Sequence, residues 1–315
     1  MKNHMEITVT AMTVGIMLMY ALPGFALVKA KKVSPSSISA FATVLMYVCQ
    51  SCLVVYSFQK VTYTKELFGE MLIFFLLAIT LQCVLIGIYY LIFRKRYSDV
   101  KYRIVTIAGV LGNCAFMGVP LLEALLPEYP QAVVFSGVYS ITMNLIGWTL
   151  ASAIITNDRK YIKLKNFFLN PSVIALCAAL PLFFKGIYIG DTKFGSAVFL
   201  LAKMTTPMCM LIMGMRLGSV SLKPVVTRKL NYLVLFLKQA AMPIAGLLIV
   251  LFLPIDVNMK LTFYIICCCP VASVVLNFSE MLGQGQEMAS NLVLLGTFSS
   301  IITIPIMMLL SGVIA

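Results

Sequence analysis

Histidine is almost absent from this sequence of 315 residues, since His4 in the amino-terminal tail is the only one. Hydrolytic triads and most zinc sites depend on histidine, so its scarcity argues against a histidine-based hydrolase or metalloprotein. The phosphate-binding patterns GxxxxGKS and GxxxxGKT do not occur, which argues against ATP as an energy source. We therefore expect no enzymatic activity, no metal site and no cofactor.

Charged residues are scarce as well. They account for 11% of the chain, against 61% hydrophobic residues, and the mean hydropathy is +0.99. This composition predicts an all-α, polytopic integral membrane protein that contacts lipid and has no soluble domain. The 9 cysteines all lie in apolar runs, and an odd number at membrane depth argues against a disulfide framework.

Ten apolar segments are long enough to cross a bilayer, which takes about 20 residues per helix. Their approximate bounds are residues 7–28, 36–58, 67–93, 102–126, 131–155, 171–189, 194–217, 230–253, 259–282 and 288–312. Of the lysines and arginines outside the spans, 16 follow spans one, three, five and seven, and 6 lie on the opposite side. The positive-inside rule then predicts a protein of the plasma (inner) membrane with both termini outside. The net charge of +13 reflects this orientation, and we expect no nucleic-acid partner.

Weak internal similarity recurs at a nearly constant spacing. Pro23 in Ala-Leu-Pro-Gly-Phe resembles Pro181 in Ala-Leu-Pro-Leu-Phe, 158 residues later. A second match, between spans five and ten, has an offset of 156 residues. These offsets predict two halves of five helices, residues 1–158 and 159–315. Because five is odd, the second half enters the membrane upside down, as in the inverted repeats of many secondary transporters.

Glycine and proline interrupt the fourth and ninth spans. The fourth span contains Gly112, Gly118 and Pro120, and the ninth contains Pro270 near its middle. Backbone polar groups freed by such breaks cannot face lipid, so they must be buried in protein or line a cavity. Pro120 predicts that a second half-helix starts near it, with its positive end beside Asn113, an arrangement that suits an anion. A proline-kinked span packed through small residues is the alternative.

Polar residues near the two breaks predict one pocket at the membrane midplane. Ser273 and Asn277 follow Pro270 by three and seven residues and share a helix face. With the amides of spans four and five they would offer uncharged donors to a carboxylate. The predicted substrate-binding residues are Asn113, Gly118, Pro120, Asn144, Lys238, Pro270, Ser273 and Asn277.

Four ionisable residues at or near membrane depth are further candidates, because a charge there normally needs a partner or a water-filled cavity. Lys238 could be a counter-charge for the substrate, could replace a coupling sodium by pairing with a carboxylate, or could bond carbonyls at a break. Lys203 could act in coupling or extend to the interface. Glu123 and Glu280 could bind a coupling proton if desolvated, or could be interfacial.

The stretch Gly112-Asn113 through Gly118-Val-Pro120-Leu-Leu resembles the auxin efflux carrier family, which includes PIN-type auxin exporters and bacterial malate-permease-like proteins. The similarity extends over essentially the whole chain. The other matching stretches are Asn144 with Trp148, Pro207 through Leu217, Pro270 through Glu280, and Ser290 through Pro305. Span three has Gln82 where PIN-type proteins carry an acidic residue.

This resemblance implies a fold similar to NhaA and bile-acid symporters, with broken helices four and nine crossing each other. It implies a scaffold of helices one, two, six and seven, a mobile unit of helices three to five and eight to ten, and often a homodimer. Asn113 and Asn144 match the family's amide contacts, and Pro120 and Pro270 match its crossover. The expected function is secondary transport of a small carboxylate, such as malate or an auxin-like acid, by an elevator movement coupled to protons or sodium or driven by the membrane potential.

Three other classes of function stay open at this point. A cation/proton antiporter of the same fold would need acidic residues at the crossover, where this sequence has asparagine and cysteine. A membrane sensor would bind a ligand without moving it. An intramembrane enzyme would have to use a Ser/Lys pair that includes Lys238.

Overall fold

The structure is a computed structural model that describes residues 2–162 and 164–314. Lys163, one of the basic residues used to predict the orientation, lies outside the described residues. Within the described part of the chain, the regular structure is helical apart from one isolated bridge. The prediction of an all-α membrane protein is therefore confirmed.

The helices follow the predicted apolar segments. In chain order they are α1 (Thr8–Lys29), α2 (Pro35–Gln59), α3 (Lys65–Arg96), α4a (Val100–Ala108), α4b (Cys114–Leu125), α5 (Gln131–Thr156), α6 (a short stretch Leu164–Phe168 and a long stretch Pro171–Phe184), α7 (Lys193–Ser219), α8 (Lys229–Leu251), α9a (Val257–Cys268), α9b (Ser273–Met281) and α10 (Gln286–Val313). Among the described residues, 8 of these helices are long and apolar enough to cross a membrane. The others are the four half-helices, so ten crossings and two inverted halves stay predictions.

The fourth segment breaks earlier than the sequence predicts. Helix α4b begins at Cys114, whereas the sequence predicts a start near Pro120. The Asn113 side chain accepts a hydrogen bond from the Phe116 N–H at 3.3 Å and so caps the helix. The first turn is π-helical, with the Gly118 N–H donating to the Asn113 carbonyl. Pro120 follows that wide turn, and the helix continues through Pro120 without a second break.

The sixth helix also ends earlier than predicted, at Phe184 rather than near residue 189. Gly186 follows with a φ of +63°, a left-handed conformation that glycine adopts without steric cost and that commonly ends a helix. Near its start, α6 is interrupted at Asn170. The Asn170 side chain accepts a hydrogen bond from the Ser172 N–H. The long stretch of α6 therefore starts at Pro171, deep among the other helices.

Helices α1 and α7 pack backbone against backbone. A Cβ atom added at Gly24 would meet the Leu211 carbonyl, and one added at Gly214 would meet the Ala21 carbonyl. Small residues at such contacts are how helices in lipid approach closely. Helix α2 contacts both α6 and α7, so α1, α2, α6 and α7 form one contiguous group.

The remaining helices form a second group around the two broken segments. Helix α3 packs against α5, α8 packs against α9a and α10, and α9a also contacts α5. Helix α1 also contacts α4b and α10 of this second group. The division into a scaffold and a mobile unit that move as separate bodies therefore stays a prediction.

Candidate functional site

The two breaks meet and satisfy each other's backbone groups. The Asn113 N–H donates to the Pro270 carbonyl at 2.8 Å, and the Ala272 N–H donates to the Leu111 carbonyl at 2.9 Å. These bonds make Gly112 and Val271 an isolated antiparallel bridge. A backbone without helical hydrogen bonds is costly away from water, so pairing the two breaks stabilises both.

A narrow pocket lies beside this crossing. Its internal space is about 30 Å³, room for about two ordered water molecules. The lining residues come from α2, the two breaks, α5 and the start of the long stretch of α6. They are Met46, Gln50, Asn113, Ala115, Phe116, Met143, Asn144, Asn170, Pro171, Ser172, Ala272, Ser273, Val274 and Asn277. None of these side chains is charged.

Four of the predicted substrate-binding residues lie together in this pocket: Asn113, Asn144, Ser273 and Asn277. Three polar lining residues, Gln50, Asn170 and Ser172, are not among the predicted ones. The sequence Asn-Pro-Ser at 170–172 has the form of a helix start. That pattern predicts where a helix begins but not that its cap faces a pocket. Gln50 is a lone amide in an apolar span, a signal that does not tell where the side chain points.

Three helix N-termini converge on the pocket. Asn113 caps α4b, Asn170 caps the long stretch of α6, and α9b starts at Ser273 without a side-chain cap. The buried Ser273 hydroxyl has no hydrogen-bond partner. Free N–H groups and aligned peptide dipoles make helix N-termini favourable places for negative charge. The three helix N-termini therefore favour negative charge in the pocket, although no cationic side chain lines it.

Hydrogen bonds orient the amides around the pocket. Asn144 donates to the Ser140 carbonyl at 2.8 Å, and its side-chain oxygen accepts from the Asn170 amide at 3.3 Å. The Asn277 amide donates to the Met46 sulfur at 3.1 Å, and a thioether is a weak acceptor. Asn277 can therefore exchange this partner for a ligand oxygen at little cost.

A family profile described as membrane transport protein matches residues 8–172 and 162–308. The chain belongs to this membrane transport protein family. It is the family of the auxin efflux carriers, so the resemblance seen in the sequence motifs is confirmed. A search among curated proteins found no match to the chain.

Lys238 occupies an unexpected place for a substrate contact in a membrane transport protein. It is fully buried in a π-helical turn of α8 but does not line the pocket. Its Nζ donates to the Cys267 carbonyl at 2.9 Å, near the carboxyl end of α9a, where a positive charge is favourable. A Cβ added at Gly112 would lie 2.9 Å from Nζ. Lys238 thus stabilises the crossing from outside the pocket, through its hydrogen bond to a carbonyl at the break.

Gly118, Pro120 and Pro270 were also predicted to bind substrate, and none of them lines the pocket. Pro270 lies in the break, and its carbonyl accepts the Asn113 N–H. Gly118 faces the Cys269 sulfur, at 3.5 Å from an added Cβ. Pro120 lies on the far side of α4b and lines a wider crevice. Gly118 and Pro270 therefore contact the crossing itself, and Pro120 faces the crevice on the other side of α4b.

The predicted coupling residues lie outside the pocket. Glu123 lies 3.2 Å from the Lys60 Nζ and accepts a hydrogen bond from the Tyr56 hydroxyl at 3.1 Å. Glu280 lies 2.7 Å from an Arg216 guanidinium nitrogen. Lys203 lines the wider crevice together with Glu123 and Pro120. A role in coupling stays a prediction for all three.

Proposed function

We propose that this membrane transport protein is a secondary active transporter of a small organic anion, a carboxylate such as malate or an auxin-like acid. The observation that carries the proposal is the convergence of three helix N-termini on a pocket lined by neutral amides and hydroxyls. A carboxylate presents two oxygens that accept hydrogen bonds, which fits a site with several amide and hydroxyl donors and three helix N-termini.

The attraction of the three helix N-termini for an anion corresponds to a moderate binding affinity. A favourable charge at one helix terminus contributes about 0.3–2 kcal/mol, so three termini contribute roughly 1–6 kcal/mol. A millimolar Kd corresponds to about 4 kcal/mol. Moderate affinity suits a transporter, which must release what it binds. A site with a buried cationic side chain would hold the anion more tightly.

Alternating access is supported by where the lining residues come from. Gln50, Asn170 and Ser172 belong to the group of α1, α2, α6 and α7, whereas Asn113 and Asn277 belong to the other group. About 30 Å³ is too little space for a dicarboxylate. Entry therefore requires the two groups to separate. We propose that the second group moves against the first as an elevator.

An inverted repeat is supported by matching interactions in the two halves. The Gln82 amide donates to the Thr142 hydroxyl at 2.7 Å, and the Ser299 hydroxyl donates to the Gln239 oxygen at 2.9 Å. Gln239 and Ser299 each follow their counterpart by 157 residues. The two hydrogen bonds of the crossing correspond in the same way. The second donor, Ala272, follows the first donor, Asn113, by 159 residues, and the two acceptors, Leu111 and Pro270, are also 159 residues apart. We accordingly propose ten crossings in two inverted halves, with both termini outside the plasma (inner) membrane.

A cation/proton antiporter finds less support, because it would need a carboxylate where the cation binds. Among the described residues, none that lines the pocket is acidic. Coupling to protons or sodium and assembly as a homodimer remain part of the proposal on the strength of family membership alone.

A thermal-shift screen of the purified protein tests the proposed ligand class. Mono- and dicarboxylates are compared with neutral and cationic analogues, at two pH values, with and without sodium. A ligand that binds only the folded protein raises its stability by RT ln(1 + [L]/Kd). We expect carboxylates alone to raise the unfolding temperature. Stabilisation by cations but by no carboxylate would contradict the proposal.

A further inference from the structure

Two ion pairs join the two helix groups, one from each broken segment. Glu123 near the end of α4b pairs with Lys60, which directly follows α2, at 3.2 Å. Glu280 near the end of α9b pairs with Arg216 near the end of α7, at 2.7 Å. Each pair therefore links a half-helix that starts at the pocket to a helix of the other group.

The two ion pairs are counterparts in the two halves of the chain. Arg216 follows Lys60 by 156 residues, and Glu280 follows Glu123 by 157. These offsets equal, within a residue, the offset of the paired glutamines in α3 and α8. In each half of the chain, a cation at the end of the second helix thus pairs with a glutamate on the second half-helix of the broken segment.

The ion pairs lie on opposite faces of the molecule. Because the bridge between Gly112 and Val271 is antiparallel, α4b and α9b leave the crossing in opposite directions. Glu123 and Glu280 lie nine and seven residues after the first helical residue, about 10–14 Å along the helix axis at 1.5 Å per residue. Each glutamate also lines an open crevice, one next to Pro120 and one next to Ser36.

We propose that Glu123–Lys60 and Glu280–Arg216 are two matched latches, one at each mouth of the pocket. Opening the pocket toward one face requires the latch on that face to break. Both latches are closed in this structure, which agrees with the narrow pocket between them. This inference rests on the proposed alternating access and adds the contacts that control it.

The latches are weak enough to open during a transport cycle. Their side chains are partly exposed, from 13% for Arg216 to 41% for Glu280. Partly exposed ion pairs stabilise by amounts that correspond to about 1.4- to 5-fold in an equilibrium. Losing one latch should therefore bias the pocket toward one face without unfolding the protein.

Sided labelling of a pocket cysteine tests the latches. The reporter is Ala115→Cys, in a protein whose less buried cysteines, Cys52, Cys83 and Cys177, are replaced by serine. A membrane-impermeant maleimide is added to vesicles of either orientation. We expect Glu123→Gln to raise labelling from the Lys60 face about 1.4- to 5-fold and Glu280→Gln to do so from the Arg216 face.

Two further variants make the result decisive. Glu128→Gln removes an exposed carboxylate that forms no latch, and should leave labelling unchanged on both faces. Exchanging the charges, with Lys60→Glu and Glu123→Lys together, should restore the low labelling of the parent. No increase in either latch variant, or the same increase on both faces, would overturn the inference. Labelling needs no substrate, so the proposed cargo can fail in the thermal-shift screen while the latches stand, and the reverse.

Discussion

Replacing Asn113 by aspartate separates its two roles at the crossing. The Asn113 oxygen caps α4b at the Phe116 N–H, and because Asn113 lines the pocket its amide nitrogen is the group left to donate to a ligand. Aspartate is as good a helix cap as asparagine, so Asn113→Asp keeps the cap. It replaces the donor by a negatively charged oxygen, which repels a carboxylate. The variant should fold normally and bind poorly.

The expected loss of affinity follows from the interaction removed. A hydrogen bond to a charged group contributes about 1.5–3 kcal/mol. Its loss alone weakens binding about 10- to 150-fold, since each 1.4 kcal/mol is tenfold. Charge repulsion adds to this, so Asn113→Asp should lose at least as much. Asn113→Ala should lose the same donor and also about 0.5–2 kcal/mol of stability with the cap.

Isothermal titration of the purified protein with a stabilising carboxylate measures these affinities, and thermal unfolding measures the stabilities. Asn258→Asp, which adds the same charge outside the pocket at the start of α9a, is the matched control and should bind like the parent. If Asn113→Asp also bound the carboxylate with the parent's affinity, Asn113 would not contact the ligand and the pocket would be wrongly assigned.

Two further predictions concern the support of the fold. Lys238→Ala leaves the Cys267 carbonyl without its donor and opens a cavity, so thermal unfolding should show a loss of about 2–5 kcal/mol; a binding defect at unchanged stability would instead make the lysine a ligand. Gly214→Ala forces a methyl group into the Ala21 backbone and should cost about 1–3 kcal/mol of stability. Gly137→Ala, where nothing lies within 4 Å of an added Cβ, should be neutral or stabilising in the same measurement, and equal effects of the two would refute the backbone-to-backbone packing.

The two breaks and four of the pocket's seven polar residues could be predicted from local signals. Glycine and proline in long apolar spans mark breaks, and the asparagines beside them mark polar surface at membrane depth. Asn113, Asn144, Ser273 and Asn277 therefore reach one pocket by reasoning that needs only nearby sequence. The crossing of spans four and nine, in contrast, was expected only from the resemblance to the auxin efflux carrier family.

The contributions of Gln50 and Asn170 could not be predicted in this way. Both come from the other helix group, and their positions depend on how α2 and α6 pack against the broken segments. The same holds for Lys238, whose depth is readable from the sequence but whose direction is not. It points to the Cys267 carbonyl because Gly112 leaves room for its side chain, a relation between segments far apart in the chain.

Counterflow in proteoliposomes tests the central claim most directly. Vesicles preloaded with an unlabelled carboxylate that stabilises the protein are diluted into a trace of the same carboxylate carrying a radiolabel. We predict that the label accumulates chemically unchanged inside vesicles containing the parent protein and does not in those containing Asn113→Asp. A carboxylate that binds the parent protein but shows no counterflow would contradict transport and indicate a sensor, and a chemically altered label would indicate an enzyme.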